Sequence, residues 1–385
     1  MATNFSGAAK NIFRLLNKID NKRLTPILVG QMENELTRKV RDIGLEVSII
    51  KYPDALNVYD KQLLNVKIIK SLKIIFALYQ YNKQLIQYFK MIKPRIVWAD
   101  NIRTFIFIYF ASKYCGCKII WNIWSEPKGK IAWLLYHVGL FFSDTINLEY
   151  KRQGEKIFSK LFTNKLFFKS KTIPIYTGVT DFEKYHGTNI RNELRLPNTD
   201  ILIMMASNID VLKGQLDLIK SVELLLDKHS NIKLLIAGSP HSSHPDSIAY
   251  DRKLRLYVEK QCLQNNVFFL GWRSDMQDLY RDIDIFVSTS YSESFPDNLR
   301  ESMLAGKPII GTNVGGTAEI INEGENGFII EPGDIKKLVK HIQSLVEDSD
   351  KRESMGLKGK LIIDNNFSTK LYAWEFENMV FRSLS

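Results

Sequence analysis

The chain reads as an α/β protein built from two doubly wound, parallel-sheet domains. Short apolar runs alternate with stretches of helical length, the pattern of parallel strands joined by crossover helices. Glycines stand just after several of these runs, where a strand gives way to a tight loop. The 385 residues, 45% hydrophobic and 25% charged, are enough for two cored domains and exclude a disordered chain.

The elements follow in order. In the first half the strand candidates are Ile27–Gly30, 46–50, Ile96–Ala99, Lys118–Ile123, Thr145–Leu148 and 173–176, each rich in Ile or Val and separated by helical stretches. Gly178 marks a hinge into a second half that alternates more cleanly. Ile201–Ala206 is a wholly apolar strand, followed by Lys213-Gly214 and a helix over 213–229. Ile232–Ala237 stops at Gly238, a helix covers 250–264, and strand 267–270 stops at Gly271. Strand 283–287, helix 297–305, strand 308–311, helix 317–322 and strand Gly327–Ile330 complete the alternation. Residues 368–385 space Leu371, Trp374, Phe376, Met379 and Phe381 as a helix does, and are expected to return to the first domain. The predicted divisions are 1–178, 179–367 and 368–385. Ligands of doubly wound sheets bind beyond the carboxyl ends of the strands, so Gly238, Gly271, Glu293, Gly315 and Gly316 should converge on one rim.

Composition narrows the partners. No apolar run approaches the roughly 18–20 residues that span a bilayer; runs 105–110 and 138–142 are expected to be buried. The start, MATNFSG, has no signal-peptide core. Cys115, Cys117 and Cys262 form no C-x-x-C pair and read as free thiols in a reducing cytoplasm. His241 and His244 near Asp246 lack ligand spacing, so a polar loop and no metal are expected. Charge is uneven: residues 1–178 hold 29 Lys and Arg against 12 Asp and Glu, and the remainder 24 against 30. Stretch 61–95 carries eight basic residues and no acidic one, interleaved with Leu, Ile, Phe and Tyr. Two readings stay open: a solvated basic helix with its apolar face in the core, or a surface for anionic lipid at the inner membrane face. Stretch 151–171 is similarly basic and Phe-rich. With no helix-turn-helix, zinc or RNP-type signature, no nucleic-acid partner is expected.

The chemistry concentrates around Glu293 and Glu301, with seven residues between them. Pro296 suits the first turn of a helix, placing Glu293 in the loop before it and Glu301 inside it. The helix start offers N–H groups and partial positive charge to an anion. Two carboxylates flanking it suit a diphosphate with hydroxyls on both sides. Lys213-Gly214 supplies a point charge beside a close backbone approach, and Gly315-Gly316-Thr317 reads as a second loop-to-helix start. Singly, each of these is a surface acid or an ordinary turn; their order gives them weight. No G-x-G-x-x-G or G-x-x-x-x-G-K-[ST] occurs, which argues against a nicotinamide dehydrogenase or a P-loop enzyme.

In that order the pieces from Met205 to Pro332 carry a resemblance. Lys213-Gly214, Ile236-Ala237-Gly238, Phe269-Leu270-Gly271, the run from Tyr280 to Val287, Glu293 to Glu301, Met303 to Thr312, Val314-Gly315-Gly316 and Asn326-Gly327-Phe328 resemble the donor half of retaining glycosyltransferases of family 4, with the GT-B fold and the Glu-x7-Glu motif. The resemblance implies two Rossmann-like domains facing a central cleft, and sugar transfer from a nucleotide-diphosphate donor without a cofactor or required metal. It assigns Lys213 to the diphosphate, Glu293 to a donor-sugar hydroxyl, and Phe295 and Pro296 to the sugar–phosphate edge. Glu301 falls to the ribose, and Leu270, Gly271 and Trp272 to the base. The basic, aromatic first domain is expected to hold the acceptor, lipid-linked or a polysaccharide as in capsule or lipopolysaccharide assembly, for a cytoplasmic or peripheral enzyme.

Three positions depart from the pattern. Asn208 stands where many relatives carry a second diphosphate cation; either Arg273 or another group compensates, or donor affinity is lower. Trp121 to Glu126 contains no histidine where relatives often have one, leaving Ser125 and Glu126 to position the sugar. Ser6-Gly7-Ala8-Ala9 resembles the first glycine loop with no strand before it, so Gly7 is an acceptor-side candidate and the first strand is expected to be missing. Two alternatives remain: a catalytically weak nucleotide-sugar-binding subunit, and a GT-B phosphorylase or epimerase.

Overall fold

The computed structural model describes residues 7–56, 68–127, 129–159, 165–180, 182, 187 and 189–385. Ser6 and parts of both basic stretches (61–67 and 160–164) lie outside the described residues. The chain divides into two units, Met1–Gly178 with Thr369–Ser385, and Val179–Ser368.

Unit 1 runs α1 (Gly7–Leu16), β1 (Ile27–Gly30), α2 (Glu35–Asp42), β2 (Glu46–Ile49), α3 (Ile68–Ile92), β3 (Ile96–Ala99), α4 (Ile102–Tyr114), β4 (Lys118–Ile123), α5 (Lys130–Phe142), β5 (Thr145–Leu148), α6 (Lys151–Ser159), α7 (Lys165–Ser170) and β6 (Thr172–Pro174). The strands β1 and β2 pair in parallel, and β3 to β6 form a four-stranded parallel sheet in sequence order. Strand alternation decides which face each residue serves. In β4, Ile119, Trp121 and Ile123 join the core under α3 to α5, with Leu85, Phe105 and Leu140. Ile120 points into the other core, with Ile12 and Leu15 of α1. Local sequence sets the helix starts. Asn34 accepts from the Thr37 N–H while the Thr37 hydroxyl takes the Asn34 N–H, a reciprocal cap. Asn101 caps α4 through Thr104.

Unit 2 contains α8 (Ile190–Glu193), β7 (Ile201–Ala206), α9 (Gln215–Glu223), β8 (Ile232–Ala237), α10 (Pro245–Lys260), β9 (Val267–Gly271), α11 (Met276–Asp282), β10 (Ile285–Ser288), α12 (Asp297–Leu304), β11 (Ile309–Thr312), α13 (Thr317–Ile320), β12 (Gly327–Ile330), α14 (Ile335–Val346) and α15 (Ser349–Asn366). Its six strands are parallel, in the order β12-β11-β10-β7-β8-β9. From β7 the chain winds one way through β8 and β9, then the other way through β10 to β12. The switch point therefore lies between β7 and β10. The last helix, α16 (Thr369–Leu384), belongs to unit 1. There Tyr372, Phe376 and Met379 join the α1 core, and buried Glu377 receives Arg23 at 2.6 Å.

Several sequence expectations needed correction. Runs 105–110 and 138–142 are helical, yet Phe110, Val138, Phe141 and Phe142 are exposed, because helical periodicity turns part of any long apolar run outward. The helix expected from residue 213 starts at Gln215, after a 3-10 turn that Gly214 ends with φ +70°. Helix α10 starts earlier than expected, with Pro245 in its first turn. Pro296 precedes α12 instead of lying in its first turn. Helices α14 and α15 had not been assigned.

The α15 helix positions α12. A Cβ on Gly356 would fall 1.8 Å from the Gly306 carbonyl oxygen, just beyond the end of α12. Alanine inside a helix gains about 1 kcal/mol over glycine, but overpacking against backbone costs about 1–3 kcal/mol. Gly356→Ala should therefore lower the melting temperature by a few degrees. An unchanged or raised value would show that the α15 contact with the α12 end is not tight.

Candidate active site

The rim loops of unit 2 are held together by glycines and by a small set of polar contacts. Gly238, after β8, has φ +141°, and a Cβ there would meet the Ser207 carbonyl oxygen at 1.9 Å. Its N–H donates to the Gly271 carbonyl, 2.7 Å away at the end of β9. Ile209 N–H donates to the Ser239 carbonyl at 3.1 Å, and Gln215 Nε2 donates to the Asn208 carbonyl at 2.9 Å. The loops after β7, β8 and β9 thus form one brace.

The loops after β7 and β10 meet across the switch point. Lys213 Nζ lies 2.6 Å from Glu293 Oε1, with the side chains 25% and 14% exposed. Ser290 donates its hydroxyl to the same oxygen at 2.7 Å. Thr289 Oγ1 donates to the Gly214 carbonyl at 2.9 Å, and a Cβ on Gly214 would sit 2.3 Å from the Thr289 carbonyl oxygen. Tyr291 adds a second tie, its N–H to the Leu212 carbonyl at 2.7 Å and its hydroxyl to Asp217 at 2.6 Å. Hydrogen bonding to that carboxylate, with some burial, pushes the Tyr291 phenol up to about 12.

From the other side, the β11 loop supports Glu293. Gly315 has φ +53°, and a Cβ there would fall 2.3 Å from the carbonyl oxygens of both Glu293 and Ser294. Gly316 N–H donates to the Ser294 carbonyl at 2.6 Å. This corrects the expectation of a second anion-binding helix start. The Gly316 N–H is committed, and α13 spans only Thr317–Ile320, too short for a substantial dipole. The two glycines instead position the Glu293 loop.

Helix α12 begins at the same place. Asn298 donates its side-chain amide to the Ala206 carbonyl, fixing the helix start over the end of β7, and its Oδ1 accepts from the Leu299 N–H at 2.8 Å. Fully buried Arg300 pairs with Asp297 at 2.5 Å and lies 4.1 Å from the Phe295 ring centroid. Phe295 is buried against Phe367, so it anchors the loop with its ring. Glu301 is half-buried in the second turn. At the β9 end, Leu270 and Gly271 are half-buried, while the Trp272 indole is 63% exposed.

Arg273 does not supply a spare cation in place of Asn208. It is held by Glu193 at 2.7 Å and Asp275 at 2.7 Å, and both contacts raise its pKa. In unit 1, exposed Ser125 offers its carbonyl to the Tyr136 hydroxyl at 3.0 Å. Glu126 Oε1 meets the Tyr150 hydroxyl at 3.3 Å and Lys156 at 3.2 Å, and Gly7 is exposed at the start of α1. Among the described residues no group of His, Cys, Asp and Glu is arranged to hold a metal ion. Sequence reasoning missed Thr289, Ser290 and Asn298. The one available signal was the run of small hydroxyl residues, Ser288-Thr289-Ser290, closing β10.

Residues 187–361 match the family described as glycosyl transferases group 1. Over 232 residues the chain is 29% identical to the capsular polysaccharide biosynthesis glycosyltransferase CapM of Staphylococcus aureus, covering 59% of each protein. It is 26% identical to a lipopolysaccharide 1,2-N-acetylglucosaminetransferase of Salmonella typhimurium, covering 50% of this chain and 51% of that protein. The match thus spans between half and three-fifths of these relatives' lengths. Among solved structures, Anabaena HepE in complex with UDP superposes with a TM-score of 0.79 at 16% identity, covering 98% of this chain and 97% of that one. A glycosyltransferase from Rickettsia africae gives 0.80 at 20% identity, covering 100% and 97%.

The loop geometry ranks two substitutions. Ser290→Ala removes one hydrogen bond from a carboxylate that keeps its lysine, a loss of about 1 kcal/mol. Gly315→Ala adds a left-handed, non-glycine residue and two backbone clashes, so in urea unfolding it should lose more than Ser290→Ala. The reverse ranking would contradict the support assigned to the β11 loop.

Proposed function

We propose, from the premise that residues 187–361 belong to the glycosyl transferases group 1 family in a chain of GT-B fold, that this glycosyltransferase moves a hexose-type sugar from a nucleotide-diphosphate donor with retention at the anomeric carbon. The observation that carries the reading is the Lys213–Glu293 pair spanning the switch point beside the start of α12. That is where ligands of doubly wound sheets bind.

In this reading the donor diphosphate lies against Lys213 and the first N–H groups of α12 other than that of Leu299, which Asn298 already takes. Glu293, released from Lys213, accepts a hydrogen bond from a donor-sugar hydroxyl. Glu301 accepts from the ribose hydroxyls, and the base lies along Leu270, Gly271 and Trp272. The bond from the anomeric carbon to the diphosphate oxygen breaks, and its electron pair leaves with the phosphate. The acceptor hydroxyl attacks the oxocarbenium-like sugar from the same face, and its proton passes to the departing phosphate oxygen. Preorganised positive charge at the leaving group is the main catalytic term.

Relatives named for capsular polysaccharide and lipopolysaccharide synthesis support a cell-surface glycan acceptor; this reading takes it to be lipid-linked or a polysaccharide, used peripherally at the cytoplasmic membrane face. One observation favours a second reading, a nucleotide-sugar-binding subunit with weak turnover. Asn208 brings no charge, and Arg273 is occupied by two carboxylates. Donor binding without hydrolysis or transfer would select it.

A thermal-shift screen of UDP, GDP, ADP and their sugars should stabilise the wild type with one nucleotide and Glu301→Ala far less, as ligand linkage requires. No shift with any of them on folded protein would remove the donor site. The transferred sugar should keep its anomeric configuration by NMR; an inverted product would sink the mechanism. With Lys213 and α12 meeting the diphosphate charge, turnover should survive EDTA. Loss of activity restored by a divalent cation would show that a metal shares the leaving-group role.

A further inference from the structure

Helix α3 turns two different faces outward and inward. At 100° per residue, Leu72, Ile75, Phe76 and Tyr79 occupy one narrow stripe, and all four are more than 60% exposed. Ala77, Tyr81, Leu85 and Phe89 lie on the opposite side, in the core. The outward stripe continues through Lys83 to Lys90, whose ammonium stands 5.2 Å from the Tyr114 ring centroid on α4. Phe110 and Tyr114 are 71% and 67% exposed. Tyr109 joins this surface to α5, at 5.5 Å from Phe110 and 5.3 Å from Phe142. On α5, Leu134, Val138 and Phe141 repeat the outward apolar spacing.

Single exposed apolar residues are ordinary, but a face this wide, spread over three helices, marks a docking surface. Helices α3, α4 and α5 contain no Asp or Glu, while Lys73, Lys83 and Lys90 accompany the apolar side chains; Lys113 on α4 is paired with Asp144 at 2.7 Å. A two-fold pairing of copies through this face would bury these lysines against a partner face whose three helices carry no acid. An anionic bilayer meets both features, with acyl chains for the rings and phosphate headgroups for the ammonium groups. No described helix is long and apolar enough to cross a membrane. The structure assigns the outward face of α3, α4 and α5 as a peripheral docking surface for anionic phospholipid. This deepens, and for its purpose rests on, the reading of a membrane-presented acceptor.

The test is co-sedimentation of the full chain with phosphatidylcholine vesicles, with and without 30 mol% phosphatidylglycerol (about 30, chosen to give a negative surface potential). Wild type should bind the anionic vesicles at least tenfold better, and 0.5 M salt (about 0.5 M, a Debye length of a few ångströms) should weaken that binding. Phe76→Ser with Phe110→Ser and Phe141→Ser should lower it about tenfold or more. Lys83→Gln with Lys90→Gln should lower it by roughly 25-fold, since each basic residue is worth about fivefold. Equal binding to neutral and anionic vesicles, no binding, or variants that bind like wild type would overturn the assignment. So would a wild-type dimer that these substitutions dissociate. Nucleotide thermal shifts on the same variants should stay at the wild-type value. They confirm folding and separate the two ideas, because lost vesicle binding with intact nucleotide binding, or the reverse, fails only one of them.

Discussion

The structure of unit 2 depends on one constraint, the reversal of winding between β7 and β10. Two adjacent parallel strands whose chains leave in opposite directions open a crevice at their carboxyl ends, and the loops leaving them must be held across it. Here that hold is the Lys213–Glu293 ion pair, with Ser290 on the same carboxylate oxygen and Thr289 gripping the backbone of Gly214. The pair is partly buried, so it is less screened than a surface pair, yet it remains within reach of an anion. On the proposed reading, a diphosphate entering this crevice would compete with Glu293 for the lysine. On the same reading the carboxylate, once released, would accept from a sugar hydroxyl.

Glycine at the rim serves proximity more than anion binding. Gly238, Gly214 and Gly315 each stand where a Cβ would meet a backbone carbonyl of the neighbouring loop. The N–H groups of Gly238 and Gly316 are spent on neighbouring loops. What remains to meet a phosphate is the start of α12, fixed over β7 by Asn298 and braced underneath by buried Arg300 and by α15. The match to the group 1 family model, residues 187–361, falls within this unit, and so do Lys213, Glu293 and Glu301.

Much of this was legible in the sequence for identifiable reasons. Strands such as Ile201–Ala206 and Ile232–Ala237 are wholly or nearly apolar because both sheet faces are covered, and such runs announce themselves. The spacing of Glu293 and Glu301 around Pro296 located a helix start to within a residue. What stayed hidden depends on tertiary neighbours. That Gly316 gives its N–H to Ser294, or that Glu193 occupies Arg273 across 80 residues of sequence, leaves no local mark. The apolar runs in α4 and α5 misled for the same reason, since composition tells that a face is apolar but not what covers it. In α3 the sequence shows apolar residues on both sides and no acid, but which of those residues stay exposed depends on what packs against the helix.

The central claim is that Lys213 is shared between Glu293 and the donor diphosphate. A double-mutant cycle on nucleoside diphosphate affinity by calorimetry tests it most directly, with Lys213→Ala, Glu293→Gln and the pair combined. Lys213→Ala should weaken binding at least tenfold. Glu293→Gln should leave it unchanged or tighten it, because the competing carboxylate is gone, and the double variant should match Lys213→Ala. If Glu293→Gln weakens binding as much as Lys213→Ala, or if Lys213→Ala has no effect, the ion pair is structural and the diphosphate is held elsewhere.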